Sequence, residues 1–138
     1  MTRIHAIAAV ALLTGTIASA DPIKHEDVKI SADGSKTVKY DIELGASTFE
    51  IRGAKIANCL EATVDYDPHY YRFETDFELR GDVGEVSLET DMRSHRNIDT
   101  DENRWGITIS NTLSSEISLE AGACDATCDF GGIPLTEL

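Results

Sequence analysis

Apolar and polar residues alternate along most of the chain, and the alternation has a period of two residues. Clear examples are Tyr40, Ile42 and Leu44, followed by Phe49 and Ile51, and similar runs recur as far as Phe130. Successive side chains of a strand point to opposite faces, so this pattern predicts strands with one buried and one solvated face. Glycines near the ends of the runs predict turns. Beyond residue 20 no segment has a sustained apolar pattern at helical spacing, and we predict a single all-β domain over residues 38–138.

The first 37 residues follow a different pattern. Arg3 gives a basic start, residues 7–13 form an apolar run, and Ala18-Ser19-Ala20 is a small-x-small cleavage site. This layout predicts a helical, cleaved signal peptide over residues 1–20, because its apolar run is too short to span a bilayer. No second apolar run follows, so we expect a periplasmic or secreted mature chain that is not inserted in a membrane. Residues 21–37 are polar and predict a flexible lead-in, with at most a short edge strand at Val28 and Ile30.

The chain is strongly acidic, with a formal charge of −13 at pH 7. Cleavage after Ala20 removes one arginine and makes the charge −14. Such a charge argues against binding to nucleic acid or to an anionic membrane surface. Most acidic residues fall on outward strand positions, where we expect them to keep exposed strands soluble and to discourage pairing between sheet edges.

An internal repeat relates residues 40–53 to residues 117–130. Both copies contain an apolar-x-apolar-Glu-apolar segment, then Gly-Ala, then a second alternating segment: the corners are Gly45-Ala46 and Gly122-Ala123. Each copy therefore predicts a strand, a corner and another strand. Stacked units of this kind build a core that one unit cannot bury alone, so the repeat predicts stacked strands in a β-solenoid-like arrangement.

Several segments, in this order, resemble the bacterial toast-rack domain family over residues 38–138. They are Leu44–Ala54, Tyr66–Pro68, Gly84–Leu88, Asn103–Ile107 and Leu119–Asp125. The resemblance implies strands stacked in successive layers and a role in the bacterial envelope, and it supplies no catalytic residues. Two features depart from the family pattern: Cys124 and Cys128 replace small and aliphatic residues. Since the chain stops at Leu138, the protein is either a short version of the domain or a fragment whose last layer is open.

The mature chain has three cysteines, and an exported protein meets an oxidising environment. We expect either a disulfide from Cys59 to Cys124 or Cys128, or three small buried apolar side chains. Cys124 and Cys128 would lie ~13 Å apart along one strand, which is too far for them to pair with each other.

Candidate chemistry is sparse elsewhere. Asp99, Asp101 and Asn103 alternate like the start of a calcium loop, but Arg104 and Ser110 stand where the motif requires Gly and Glu. These three residues are weak candidates for a divalent cation, and a solvated run of charges is the better interpretation. No nucleophile motif or phosphate-binding loop is present. We therefore expect no cofactor, no metal site and no enzymatic activity.

The best candidate for a binding surface combines a turn with the longest polar stretch. Tyr70 has the opposite parity to its aromatic neighbours and lies beside His69 and Arg72, while residues 91–104 form a long polar loop that contains His95. Two functions remain open at this point. The first is a non-enzymatic envelope domain that binds an envelope protein or a wall polymer, or serves as a scaffold. The second is a secreted module that binds a ligand or glycan through the 91–104 loop and the Tyr70 region.

Overall fold

The computed structural model describes residues 23–93 and 103–138, and all regular structure in those residues is β-strand. This confirms the predicted all-β fold. The predicted signal peptide lies outside the described residues. The strands are β1 (Lys24–Ile30), β2 (Thr37–Leu44), β3 (Ser47–Ala54), β4 (Leu60–Tyr66), β5 (Tyr71–Arg80), β6 (Val83–Met92), β7 (Asn103–Ser110), β8 (Ser114–Ala121), β9 (Cys124–Asp129) and β10 (Leu135–Glu137).

The strands form two mixed five-stranded sheets. Sheet A has the order β1-β4-β7-β3-β9, and sheet B has the order β10-β8-β2-β6-β5. Parallel pairs occupy one side of each sheet, where β7, β3 and β9 run together in sheet A and β6, β2, β8 and β10 run together in sheet B. The antiparallel strands lie on the other side, with β1 and β4 in sheet A and β5 in sheet B.

The predicted repeat corresponds to the stacking register of the fold. Tyr40 lies opposite Ile117 in sheet B, and Phe49 lies opposite Ala126 in sheet A, the same correspondence that the sequence repeat gives. The two corners are also joined, because Gly122 N donates to Leu44 O at 2.9 Å. The strand-corner-strand units therefore stack in parallel, which confirms the expected layered arrangement.

A third unit completes the stack and is not visible as a sequence repeat. β6 pairs with β2 in sheet B, and β7 pairs with β3 in sheet A, so β6 and β7 cover the side of the central unit opposite to β8 and β9. Residues 93–102 connect β6 to β7 in place of a two-residue corner. The longer connection separates β6 from β7 in the sequence by more residues than a corner does. For this reason the two strands do not align with the strand-corner-strand repeat.

The core lies between the sheets and is built from the inward positions of the alternating runs. Its largest fully buried side chains include Tyr40, Ile42, Ile51, Leu88 and Ile107. Three aromatic rings pack edge to face at one end of the core: Phe73 lies between Tyr66 and Trp105, with centroid distances of 5.2 and 5.3 Å. This geometry suits the aromatic quadrupole and adds to the stabilisation from burial.

The lead-in is less flexible than its composition predicts. Seven of its residues form β1, which pairs with β4 along its whole length, and Val28 and Ile30 are buried in the core. The alternation there is short, so only its two apolar residues indicated a strand. Within the described residues, no helix is long and apolar enough to cross a membrane.

Candidate binding surfaces

Asn103 begins β7 and is fully buried. Its Nδ2 donates to the carbonyl oxygen of Ala46 at 3.2 Å, and its Oδ1 accepts a hydrogen bond from Trp105 Nε1 at 2.9 Å. The amide thus ties the end of the aromatic cluster to the first Gly-Ala corner. Both polar atoms of the Asn103 side chain are hydrogen-bonded inside the protein. In this structure the candidate cation ligand therefore holds two parts of the fold together. Asp99 and Asp101 lie outside the described residues.

The turn between β4 and β5 is organised by Asp67, a buried carboxylate. Asp67 Oδ1 accepts a hydrogen bond from the His69 amide at 2.9 Å and lies 2.9 Å from His69 Nδ1. The Asp67 carbonyl accepts from the amides of Tyr70 and Tyr71. As a result the His69 side chain is held at the surface, with 75% of its area exposed.

The predicted surface patch around Tyr70 is only partly assembled. Tyr70 is half-buried and packs against the core, so its ring is less available than its parity suggests. Arg72 lies on the outer face of sheet B, where its Nη2 is 3.3 Å from Asp91 Oδ2 and 3.5 Å from Glu74 Oε1. The three residues are close in sequence, but their side chains lie in different surroundings. His69 is exposed on the turn, Tyr70 packs against the core, and Arg72 lies among carboxylates on the outer face of sheet B. His95 lies outside the described residues.

All three cysteines are free in the structure, where Cys59 is buried and the two cysteines of β9 are exposed. Cys59 immediately precedes β4, and β7 and β3 separate β4 from β9, so about three strand spacings of ~4.8 Å keep Cys59 from the other two thiols. Cys59 is fully buried and its Sγ donates to Ile30 O at 3.2 Å. Burial raises the pKa of its thiol to about 11, which makes it unreactive. Cys124 and Cys128 are both exposed on β9.

A histidine–carboxylate pair lies on the outer face of sheet A, near its β1 edge. His25 is directly opposite Asp65 in the register, and its Nδ1 contacts Asp65 Oδ1. His25 Nε2 also lies 3.7 Å from Asp27 Oδ1. The hydrogen bond to Asp65 raises the pKa of His25 above its ordinary value, with the charges of Asp65 and Asp27 acting in the same direction. We interpret this pair as a surface contribution to the pairing of β1 with β4.

The two sheets differ in the charge of their outer faces. The outer face of sheet A mixes acidic residues with Lys29, Arg52 and Arg104. The outer face of sheet B carries Lys39, Arg72 and Arg80 against a much larger set of carboxylates. These carboxylates are Asp41, Glu43, Glu74, Asp76, Glu78, Glu85, Glu89, Asp91, Glu116, Glu120 and Glu137. The negative charge of the chain is therefore concentrated on one face.

Four glutamates of that face lie in a single row across four strands, which we call the glutamate ladder. Glu74 is opposite Glu89, Glu89 is opposite Glu43, and Glu43 is opposite Glu120. No basic residue occupies this row. Partial desolvation and the neighbouring carboxylates, Asp41 and Glu120 first among them, raise the pKa of Glu43. The repeat alignment matched Glu43 with Glu120, but the other half of the ladder depends on pairings with β6 and β5 that the sequence does not reveal.

Two grooves are associated with sheet B. The larger, of about 880 Å³, contains residues from all five strands of the sheet. The smaller, of about 520 Å³, lies at the ends of β2 and β8 and contains Glu43, Glu120 and Thr90 together with Gly45 and Gly122. We call it the corner groove. Thr90 is 7% exposed, and its Oγ1 is buried without a hydrogen-bond partner among the described residues. Those residues also contain no group of three or more His, Cys, Asp or Glu arranged to hold a metal ion.

The stack is open along β9. This strand pairs with β3 on one side, and no described strand covers its other side. Ala126 and Cys128 lie opposite the buried residues Phe49 and Ile51, yet all six residues of β9 are exposed. On sheet B the short strand β10 pairs in parallel with β8 at the same end.

These features define a class of protein: an all-β domain of stacked strand-corner-strand units. The sequence matches the family Toast_rack_N, described as the N-terminal domain of toast_rack (DUF2154), over residues 19–138. The chain belongs to this family.

One solved structure supports the same fold. It is a crystal structure of a "putative cell adhesion protein" from Clostridium sporogenes ATCC 15579, with 19% sequence identity and a TM-score of 0.74. The similarity covers 82% of this chain and 54% of the other, so the present chain spans about half the length of that protein. No curated protein sequence matches the chain at a significant level.

Proposed function

We propose that this chain is an exported, non-enzymatic domain of the bacterial envelope that acts as a binding or scaffold module. The observation that carries this proposal is the stack of three strand-corner-strand units, which presents two broad sheet faces and the open strand β9. A rigid stack of this kind offers extended surfaces for an envelope protein or a wall polymer.

Two further observations support an envelope role. The first 20 residues have the composition of a cleaved export signal, with Ala18-Ser19-Ala20 before Asp21. The similar structure from C. sporogenes is described as that of a "putative cell adhesion protein", and adhesion requires a surface position and a binding face. We extend both properties to this chain as part of the proposal.

To test this proposal, the whole chain is produced with a C-terminal tag in a bacterial host, and its N-terminus and location are determined. We expect mass spectrometry to find a mature N-terminus at Asp21 and fractionation to find the protein outside the cytoplasm. In a second arm, the purified mature protein is sedimented with isolated cell-wall sacculi or envelope membranes. Retention of Met1 in the cytoplasm would contradict export, and failure to associate with any envelope fraction would contradict a binding role.

A second candidate function is a ligand- or glycan-binding module that uses the Tyr70 region and the predicted 91–104 loop, of which the first two residues belong to β6 and the last two to β7. It is favoured by the exposed His69 imidazole, which the Asp67 carboxylate orients, and by the Arg93 amide, which donates to Tyr70 O at 2.6 Å and so joins the turn to the start of the loop. A glycan array would test it with the His69→Ala variant, and Glu50→Gln on the other sheet would serve as the control. Binding that is equal in both variants would contradict this function.

A further inference from the structure

We propose that the open edge of β9 pairs with the same edge of a second copy of this chain, antiparallel and centred on Ala126, and that two intermolecular disulfides between Cys124 and Cys128 join the copies. The inference rests on the proposed function for its setting alone, since export leads to an oxidising environment. It goes beyond that function because the partner is the chain itself and not an envelope component.

The first argument is the exposure of one row of side chains. Cys124, Ala126 and Cys128 share the face of β9 that continues the inward face of β3, and Ala126 lies directly opposite the buried ring of Phe49. Every residue of β9 is nevertheless exposed. This row of small, weakly polar side chains therefore ends the core without a cover among the described residues.

The second argument is the direction of the backbone groups. Ala123 O accepts a hydrogen bond from Ser47 N of β3 at 3.2 Å. Because the C=O and N–H of one trans peptide point in opposite directions, the N–H of Cys124 points away from β3, toward the open edge. The alternation along a strand directs the N–H and C=O groups of Ala126 and Cys128 to the same edge. These are the groups to which an added strand bonds.

The third argument is that β9 is self-complementary. Cys124 and Cys128 lie two residues on either side of Ala126, so a two-fold axis through Ala126 places each cysteine directly opposite the partner's other cysteine. The edge-directed backbone groups make these hydrogen-bonded pairs, whose Cα atoms are ~5.5 Å apart in an antiparallel sheet. That separation is typical of a disulfide.

The charges of β9 select the same register. Asp125 then lies opposite the partner's Thr127, and Asp129 lies opposite the partner's Ala123, so no two carboxylates are paired. A shift of one residue would place inward side chains opposite outward ones. A shift of two residues in either direction would place Asp125 opposite an aspartate of the partner, which destabilises a sheet, and would separate the thiols.

The two disulfides form by thiol–disulfide exchange with a small organic disulfide such as oxidised glutathione. The thiolate of one cysteine attacks the oxidant and releases one glutathione; the thiolate of the partner's cysteine then attacks this mixed disulfide and releases the second. For each bond, two cysteine thiols are oxidised and one glutathione disulfide is reduced to two thiols. A six-residue edge, about 20 Å long, is small beside the ~1,000 Å² that stable interfaces bury, so we expect the reduced protein to be monomeric.

The experiment uses the purified mature protein, first reduced and then exposed to oxidised glutathione. Burial, together with the charge of Cys124, raises the pKa of the Cys128 thiol, so the exchange is run at pH 8.5 to increase its thiolate fraction. We expect sedimentation velocity to show a doubling of mass that dithiothreitol reverses. Proteolysis before Asp125 separates the two cysteines, and a non-reducing digest of the dimer should link Cys124 to Cys128. A wild-type protein that stays monomeric with glutathione on both cysteines would overturn the proposal.

Single-cysteine variants test the register by complementation. Cys124→Ser and Cys128→Ser each retain one thiol on β9, and in the proposed register neither variant alone brings two thiols together. An equimolar mixture does so once in each mixed pair. We expect a covalent dimer in the mixture and its loss in each variant alone. Equal yields from one variant alone and from the mixture would overturn the register and the proposal with it.

The Ala126→Pro variant tests strand pairing while both thiols remain. Proline removes an N–H that points to the open edge and none that bonds to β3, so we expect the reduced variant to unfold at the wild-type temperature but to lose the covalent dimer. An undiminished yield of dimer would mean that chance encounters of exposed thiols join the chains, and it would overturn the proposal. Because the oxidant is supplied in vitro, failure of dimerisation and failure of export are separate results.

Discussion

The buried amide of Asn103 offers the sharpest test of how the stack is held together. Substitution by alanine removes the hydrogen bonds to Ala46 O and from Trp105 Nε1, and both partner atoms remain in the interior. A buried donor or acceptor left without its partner costs about 1–3 kcal/mol, so two of them predict a loss of about 2–6 kcal/mol in the free energy of unfolding. That is a large share of the stability of a typical domain of this size.

The measurement is urea denaturation followed by far-UV circular dichroism. Fluorescence supplies a local readout because Trp105 is the one tryptophan in the chain. The Asn103→Asp variant adds a diagnostic pH dependence. It keeps the oxygen that accepts from Trp105 but places a second oxygen against Ala46 O, and burial disfavours its charged form. Protonation restores a donor, so we expect this variant to regain stability as the pH falls toward 4.

The matched control is Thr108→Ala, on the outward face of the same strand, for which we expect a change of about 0.5 kcal/mol or less. An Asn103→Ala variant that loses less than about 1 kcal/mol, with unchanged Trp105 emission, would refute the reasoning. It would mean that water enters this end of the core and hydrogen-bonds to Ala46 O and Trp105 Nε1 in place of the amide. The role assigned to Asn103 in joining the corner to the aromatic cluster would then be wrong.

Three further predictions concern other parts of the fold. A Gly122→Ala side chain would lie 3.3 Å from the carbonyl carbon of Gly45, so we expect a loss of about 1–3 kcal/mol in urea denaturation, and a neutral result would contradict close stacking of the corners. Because the pKa of His25 is raised above 6.5 by its partner Asp65, the pair stabilises the fold below that pH and the benefit disappears as the pH rises through the raised value. The stability difference between wild type and His25→Ala should therefore be larger near pH 5.5 than at pH 8.5, and a pH-independent difference would exclude the pair as its source. A thiol reagent should label the two cysteines of β9 rapidly and Cys59 only after unfolding, whereas a linked peptide containing Cys59 in a non-reducing digest would contradict the free thiols.

The alternation of the sequence was sufficient to predict most of the fold. Where one face of a strand is buried, period-two patterning determines which side chains point inward, and the Gly-Ala corners mark where a strand changes sheets. The repeat went further, because its alignment of residues 40–53 with residues 117–130 matches the pairing register of the structure, with Tyr40 opposite Ile117 and Phe49 opposite Ala126. This was possible because stacked units in parallel register place equivalent residues side by side.

The remaining features depend on contacts that sequence patterns do not encode. β6 and β7 form a stacked unit, but the insertion between them removes the corner that identifies the other two. The glutamate ladder combines one pairing that matches the repeat alignment with two that do not. The position of Cys59 was equally hidden, because its distance from β9 depends on the order of strands in sheet A and not on separation in sequence. The sequence placed Asn103 in a polar loop. Its buried position depends on hydrogen bonds to Ala46 O in the first corner and from Trp105 Nε1 on its own strand, and no sequence pattern indicates the first of these.

The arrangement of the stack also has a consequence for the order of folding. The central unit, β2 and β3, is synthesised before both of its neighbours, and β2 pairs with residues from Val83 and from Ser114 onward. Contacts of such long sequence separation carry a loop-closure cost and slow the folding of a domain. The middle of the molecule therefore cannot acquire both of its partners until nearly the whole chain is available. The core is therefore incomplete for most of the synthesis of the chain, a property that would suit the export proposed above.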